Sequence, residues 1–317
     1  MESVFPVLDP ASPHARAVHS LFLQVLVVST LIFVAITSWI GVAIWKSRRL
    51  GDTLPAQTFG GHHNELRWMI GPFAIVFWLA TASVSLVLMI ASYRDDRSNL
   101  SKEGTPDIVV TGHQWWWEIR YLNENLTDAN ELHLPVGRKL LVALESADVI
   151  HSFWVPRLGG KMDCVPGRVN LIWLEATSTG TFEGVCAEFG GSQHAWMKFK
   201  VIAHAANEYE QTLTALKQER AKPTEPDAQA GERLFFKATC ANCHAIANTT
   251  AKAKIGPDLT HLSLRQQLGA GVIDNSRDNL FQWLKNPQLI KPGCNMPNFK
   301  LSDTEARQLA AYLGAKP

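Results

Sequence analysis

An excess of charge of one sign is the first thing this sequence lacks. Its 30 Lys and Arg residues stand against 29 Asp and Glu, a formal net charge of +1 over 317 residues. A nucleic-acid binder carries a marked basic excess, so no nucleic-acid partner is expected. Cysteine is scarce and odd in number, with Cys164, Cys186, Cys240, Cys243 and Cys294. An odd set does not close into a disulfide framework, and a Cys-x-x-Cys-His run among them directs attention to cofactor attachment. Internal repeats and low-complexity tracts are missing. No signal peptide is expected either, because the first apolar run is too long for one and lacks a small-residue cleavage site.

Charge is missing altogether from two stretches, residues 21–45 and 68–93. Each exceeds the ~20 residues that an α-helix needs to cross a bilayer. Two such runs with charges at their ends predict a transmembrane hairpin, with spans at about 20–46 and 67–93, rather than core helices. Lys46, Arg48 and Arg49 follow the first run and Arg67 precedes the second. Positive charge collects on the cytoplasmic side, so the loop between the spans is expected there, with both chain ends outward. Arg94 and Arg97 on the other flank are accompanied by Asp95 and Asp96. The chain is therefore expected to be a multi-pass membrane protein, in contact with lipid, with its soluble part in the periplasm or its equivalent.

Beyond the spans the texture changes. Residues 107–121, 132–144, 168–174 and 196–201 read as short β-rich runs, separated by Gly159-Gly160, Pro166-Gly167 and Gly190-Gly191. That spacing predicts an antiparallel sandwich or barrel. Residues 206–220 read as a polar helix, and 221–230, with Pro223 and Pro226, as a linker. The remainder reads as helical, and its last helix opens with the capping-box pattern Ser302-Asp303-Thr304-Glu305.

Cys240-Ala241-Asn242-Cys243-His244 is the attachment pattern of a c-type haem. Two thiols form thioethers, and the next residue supplies an axial imidazole. Met296-Pro297 lies downstream in a loop before the terminal helix, and a Met/His pair is the ligation that raises haem potential in electron-transfer cytochromes. A redox Cys-x-x-Cys would need a thioredoxin-like βαβ context, which is absent. The region from residue 227 to the end resembles class I cytochrome c. Cys294 is not part of that pattern and reads as a small buried hydrophobe near the haem edge.

The other motifs are Gly112-His113-Gln114-Trp115-Trp116-Trp117, the run Val149-Ile150-His151-Ser152-Phe153-Trp154-Val155-Pro156, Lys161-Met162-Asp163-Cys164-Val165-Pro166-Gly167-Arg168, and Cys186-Ala187-Glu188-Phe189-Gly190-Gly191-Ser192-Gln193-His194-Ala195-Trp196-Met197. With the two-helix anchor, they closely resemble subunit II of haem–copper cytochrome c oxidases, and the fused haem domain resembles the caa3-type branch. The resemblance spans nearly the whole chain. It implies a multidomain membrane protein: residues 1–98 as lead and transmembrane hairpin, 99–205 as a cupredoxin-like antiparallel β-sandwich, 206–226 as helix and linker, and 227–317 as an all-α class I cytochrome c domain. It further implies an electron-transfer subunit without a catalytic site of its own. Its partners would be the oxygen-reducing, proton-pumping large subunit I, the other oxidase subunits, and cytochrome c or another periplasmic electron donor.

One departure from the family pattern stands out. The copper loop of the family reads Cys-x-x-x-Cys-x-x-x-His-x-x-Met, and its two bridging thiolates hold two copper ions. Here the second cysteine position is Gly190, while His151, Cys186, Glu188, His194 and Met197 remain. Glycine offers no ligand atom, so the dinuclear centre is not expected. The surviving His, His, Cys and Met form the ligand set of a mononuclear blue-copper site. Three readings stay open: no metal, one copper ion, or Cys164 supplying the missing thiolate; Cys164 could equally pair with Cys186 in a disulfide. At most one ion is expected beside the covalent haem c. Trp115 matches the family's aromatic electron-input position, and Glu65 matches the glutamate at the mouth of a proton channel. His113, His62 and His63 read as ordinary polar residues. Alternative readings are a quinol-oxidase subunit, which needs no c-type haem, a nitric-oxide reductase subunit of the same superfamily, and a free-standing membrane cytochrome c shuttle.

Overall fold

The computed structural model describes residues 6–50, 60–95 and 105–315. The centre of the loop between the two apolar runs, and Asp96 and Arg97 of the expected outer flank, lie outside the described residues. The chain divides into two compact units, residues 16–96 and the rest.

The first unit is a pair of helices, α1 (Pro13–Leu50) and α2 (His62–Asp95). Both contain apolar windows with a mean hydropathy of 2.4, none of which is buried within the protein. That combination is what lipid or a membrane partner would cover. Pro72 sits inside α2, where the Thr81 hydroxyl donates to the carbonyls of Phe77 and Trp78. Trp39 and Trp68 stack with centroids 4.9 Å apart, joining the helices to each other.

The second unit begins with a β-sandwich. One five-stranded sheet runs in the order β3 (Leu126–Ala129), β2 (Trp116–Tyr121), β1 (Ile108–His113), β5 (Leu140–Ser146), β8 (Asn170–Leu174). The other runs β4 (Glu131–Pro135), β10 (Lys198–His204), β9 (Gly180–Cys186), β6 (His151–Trp154), β7 (Met162–Cys164). Most pairs are antiparallel, as the alternation predicts, but β1–β5 and β4–β10 are parallel. The chain reaches those partners by crossing between sheets, and parallel neighbours cannot be joined by a hairpin. Trp117, Phe153, Phe182 and Phe199 fill the core between the sheets, all essentially fully buried. The lead before α1 is stitched to this domain: the Ala11 amide donates to Arg157 at 2.8 Å and the Ser12 hydroxyl to Leu158 at 2.7 Å.

Helix α3 (Ala206–Lys217) packs Tyr209, Leu213 and Leu216 into the same core. The expected linker ends earlier than proline content alone suggests. Pro226 takes the first position of α4 (Pro226–Lys237), where its missing N–H costs nothing. The helical domain continues through a 3-10 turn at Cys240–Asn242, a small hairpin of β11 (Gln267–Leu268) and β12 (Ile273–Asp274), α5 (Arg277–Lys285), α6 (Pro287–Ile290) and α7 (Asp303–Leu313). The hairpin, with an isolated antiparallel bridge between Ala245 and Lys252, departs from an all-α reading. Helix α7 starts with the predicted capping box, formed reciprocally by Ser302 and Glu305. It crosses α4 at Gly231, where a Cβ would lie 2.0 Å from the Gln308 carbonyl oxygen, so no side chain fits at the crossing.

Candidate functional site

Helices α4, α5 and α7 leave between them an apolar cavity, walled by Phe235, Leu259, Leu268, Leu284 and Leu309. Cys240, Cys243, His244 and Met296 all line it. The sequence run Cys240–His244 folds as a tight turn, with the amides of Cys243 and His244 both donating to the Cys240 carbonyl, at 3.1 and 3.0 Å. That turn brings two thiols and an imidazole to one wall, although they span five residues. His244 Nδ1 lies 2.8 Å from the Pro257 carbonyl oxygen. This hydrogen bond puts the proton on Nδ1 and leaves Nε2 as the free ligand atom. Gly256 permits the ring to sit there, since a Cβ would come within 2.5 Å of the His244 ring. Burial lowers the His244 pKa, which keeps the imidazole in its neutral, ligating form. Two thiols, a pre-oriented imidazole and a thioether around an apolar slot fit a covalent haem.

Two residues that sequence reasoning did not single out hold the methionine loop. The Gln288 side-chain amide faces the carbonyls of Cys294 at 2.8 Å and Met296 at 2.7 Å, and the Cys294 sulfur at 3.3 Å. Cys294 is half-buried at the cavity wall, close to its expected place. Lys291 is 3% exposed, and its ammonium donates to three carbonyls, Trp115 at 3.3 Å, Trp196 at 2.9 Å and Gly269 at 2.8 Å. No local pattern marks either residue. A lysine in a loop reads as solvated until the fold buries it.

The β-sandwich contributes Gln114, Trp115 and Trp116 to the cavity lining. The two domains are joined by a polar seam. Arg265 and Asp128, both nearly fully buried, pair at 2.6 Å. Glu131 accepts from the amides of Gln266 at 2.7 Å and Gln267 at 3.0 Å. Burial, reinforced by the Asp128 carboxylate, pushes the Glu131 pKa up to about 7. The Lys198 amide donates to the Ala270 carbonyl at 3.0 Å.

The loop from Cys186 to Met197 lies at this seam. Cys186 and Met197 are buried. The Cys186 thiol is 3.9 Å from His151 Nδ1 and donates to the Glu188 carbonyl at 3.3 Å, while the Glu188 side chain is exposed. His151 Nε2 is engaged by Asp148 at 2.7 Å, which turns Nδ1 toward the thiol. His194 Nδ1 is buried without a hydrogen-bond partner. At Gly190 an added Cβ would meet only ordinary contacts, Val149 at 3.4 Å and His151 Nδ1 at 3.5 Å. The glycine thus occupies a place where a cysteine sulfur would face the histidine. Among the described residues no three His, Cys, Asp or Glu side chains converge on a metal-sized site. The donors present do not fit a copper pair.

Cys164 and Cys186 are too far apart to form a disulfide. Cys164 lies opposite His151 on β7, while Cys186 lies opposite Phe153 on β9, with β6 between them. Two ladder steps of about 4.8 Å set their Cα atoms at least about 10 Å apart, beyond the roughly 7 Å that a disulfide spans. Both thiols are free, and burial, with Cys186 nearby, pushes the Cys164 pKa up to about 12.

Trp115 packs on the sandwich core, and its indole N–H donates to the Gly190 carbonyl at 2.8 Å. It stands between the cavity and the 186–197 loop. Glu65 belongs to the other unit, exposed in the first turn of α2. His113 stacks on Trp116 at 4.2 Å, and burial lowers its pKa to about 4. The rings of His62 and His63 lie 6.3 Å apart at the start of α2.

Three family descriptions match the chain in order: "Cytochrome C oxidase subunit II, transmembrane domain" over residues 3–101, "Cytochrome C oxidase subunit II, periplasmic domain" over 123–204, and "Cytochrome c" over 228–315. Cytochrome c oxidase subunit 2 of Alkalihalophilus pseudofirmus is 36% identical over 315 residues, covering 98% of this chain and 91% of the relative. The protein of the same name from Bacillus subtilis is 31% identical over 306 residues, covering 90% and 86%. Among solved structures, the periplasmic domain of subunit II of cytochrome oxidase from Bradyrhizobium japonicum is 31% identical, covering 36% of this chain and 95% of that one, with a TM-score of 0.34.

Proposed function

Since the chain belongs to the cytochrome c oxidase subunit II family, carries a C-terminal cytochrome c domain and is an electron-transfer subunit of an oxygen-reducing complex, we propose that one covalent haem c, and not a dinuclear copper centre, is its working redox group. Cys240 and Cys243 would hold it through their thiols, with His244 Nε2 and the Met296 sulfur as its iron ligands. When bound, the haem supplies one-electron chemistry at a potential that methionine ligation raises. The leucine walls exclude water, and Pro257 holds the imidazole proton on Nδ1. Trp115 is the aromatic step by which electrons enter the β-sandwich.

The observation that carries this reading is the shared cavity. Residues of the β-sandwich, Gln114, Trp115 and Trp116, line the same space as the two thiols, the imidazole and the thioether. At the 186–197 loop, Gly190 removes one of two bridging thiolates, and soft thiolate ligands dominate affinity for cuprous copper. His151, Cys186, His194 and Met197, with the Glu188 carbonyl, hold at most one ion.

The apolar helices pack on the large haem–copper subunit I and on lipid in a bacterial inner membrane, with the β-sandwich and haem domain on the outer side. Cytochrome c or another periplasmic protein donates electrons. Glu65, at the edge of the membrane span, serves proton input to the partner. Purified in mild detergent, the complex should consume oxygen and keep its haem on this polypeptide through acid–solvent extraction. It should contain at most one copper in the β-sandwich and show no near-infrared band of a mixed-valence pair. Haem that extracts into solvent, or two copper ions in this domain, would overturn the assignment.

A further inference from the structure

The segment between α6 and Met296 is short, yet the β-sandwich grips it at three places. The Lys291 ammonium reaches the carbonyls of Trp115 and Trp196. The Gln193 side chain donates to the Pro292 carbonyl. The Asn295 amide donates to the Gln114 carbonyl at 2.8 Å. Loops are ordinarily the least stable parts of a domain, and this one ends in a haem ligand. An ammonium has three donors, and all three of Lys291 are used on carbonyls, the third from Gly269 of the helical domain. A buried cation is tolerated only when so satisfied. Lys291 therefore belongs to both domains at once.

We propose that Lys291 is a positioning residue that ties the Met296 loop to the β-sandwich, so that sulfur ligation of the haem depends on docking of the two domains. The proposal rests on the axial role of Met296 given above. If docking favours the geometry in which the thioether reaches the iron, ligation must favour docking by the same factor, because coupling is reciprocal. The β-sandwich thereby acts on the haem through the methionine loop: an undocked haem domain holds its methionine more loosely and has a lower potential.

The test uses the purified oxidase complex and the ferric haem. Imidazole competes with a thioether for the open axial position, and its affinity reports how firmly Met296 is held. Lys291→Met should keep the covalent haem, weaken the sulfur-to-iron band of the oxidised spectrum and bind imidazole about tenfold more tightly. Glu131→Ala loosens the seam on β4, away from the Met296 loop, and should shift affinity the same way by less. A wild-type spectrum without the band overturns the Met296 assignment and this inference with it. A normal wild-type band with unchanged imidazole affinity in Lys291→Met overturns this inference alone. So does a shift in Lys291→Met with none in Glu131→Ala, since the effect would then be local to the loop.

Discussion

The haem cavity and the copper loop are both built to gather soft and imidazole ligands, and they are completed to different degrees. In the helical domain every ligand of the motif lines one cavity, and the histidine is oriented by a carbonyl. In the β-sandwich the scaffold survives: His151 still faces Cys186, and Met197 is still buried. The position that would complete the pair is Gly190. A ligand set can lose one member while the fold that held it remains, because burial and strand pairing, not metal, position the other residues.

Exchanging cysteines between the two regions should give the largest contrast. Replacing both Cys240 and Cys243 by Ala should abolish covalent haem, read as loss of all solvent-resistant haem from the polypeptide. Cys186→Ala should leave haem content unchanged and cost about 1 kcal/mol in thermal unfolding, as for a small buried truncation. Equal haem loss in both variants would erase the distinction.

Completing the second site comes next. Gly190→Cys places its Cβ at ordinary contact distances, so folding should be disturbed by less than about 1 kcal/mol. Copper content of the β-sandwich should rise to two ions, with a near-infrared mixed-valence band. A folded variant that gains no copper would show that His194 and Met197 have moved out of ligating range as well.

The smallest effect concerns the seam between the regions. The Glu131 pKa is raised from 4.5 to about 7, so the docked state binds its proton more tightly than an exposed carboxyl does. Docking support from this residue is therefore full below about pH 4.5 and is lost as pH rises through about 7. The Gln266 and Gln267 amides, corrected for intrinsic rates, should exchange faster at pH 8 than at pH 6. Glu131→Gln should flatten the difference, and a slope that persists in that variant would assign it to another group.

Much of this was readable along the chain. The attachment motif is a covalent pattern of five residues, and the capping box of α7 is a matter of spacing within four. The strands were less legible. Residues 107–121 divide into β1 and β2 around a tight turn, and β7 is only three residues long. Strand β6, His151–Trp154, is buried on nearly every residue, so the alternation that marks a half-exposed strand is missing. The 186–197 loop could be placed by motif, but its geometry could not, and the readings of Cys164 stayed open for that reason.

The sequence by itself determined the two apolar helices, the order of the domains, the Cys240–His244 motif and the glycine at position 190. Each of these depends on residue type and spacing over a few turns of chain. Tertiary structure alone decided that Cys164 and Cys186 stand on opposite sides of β6, that Lys291 is a buried cation shared by two domains, and that Arg265 meets Asp128. Those contacts join residues far apart in sequence, and their strength comes from exclusion of water at the seam. Burial is a property of the assembled fold, and no local stretch of sequence carries it.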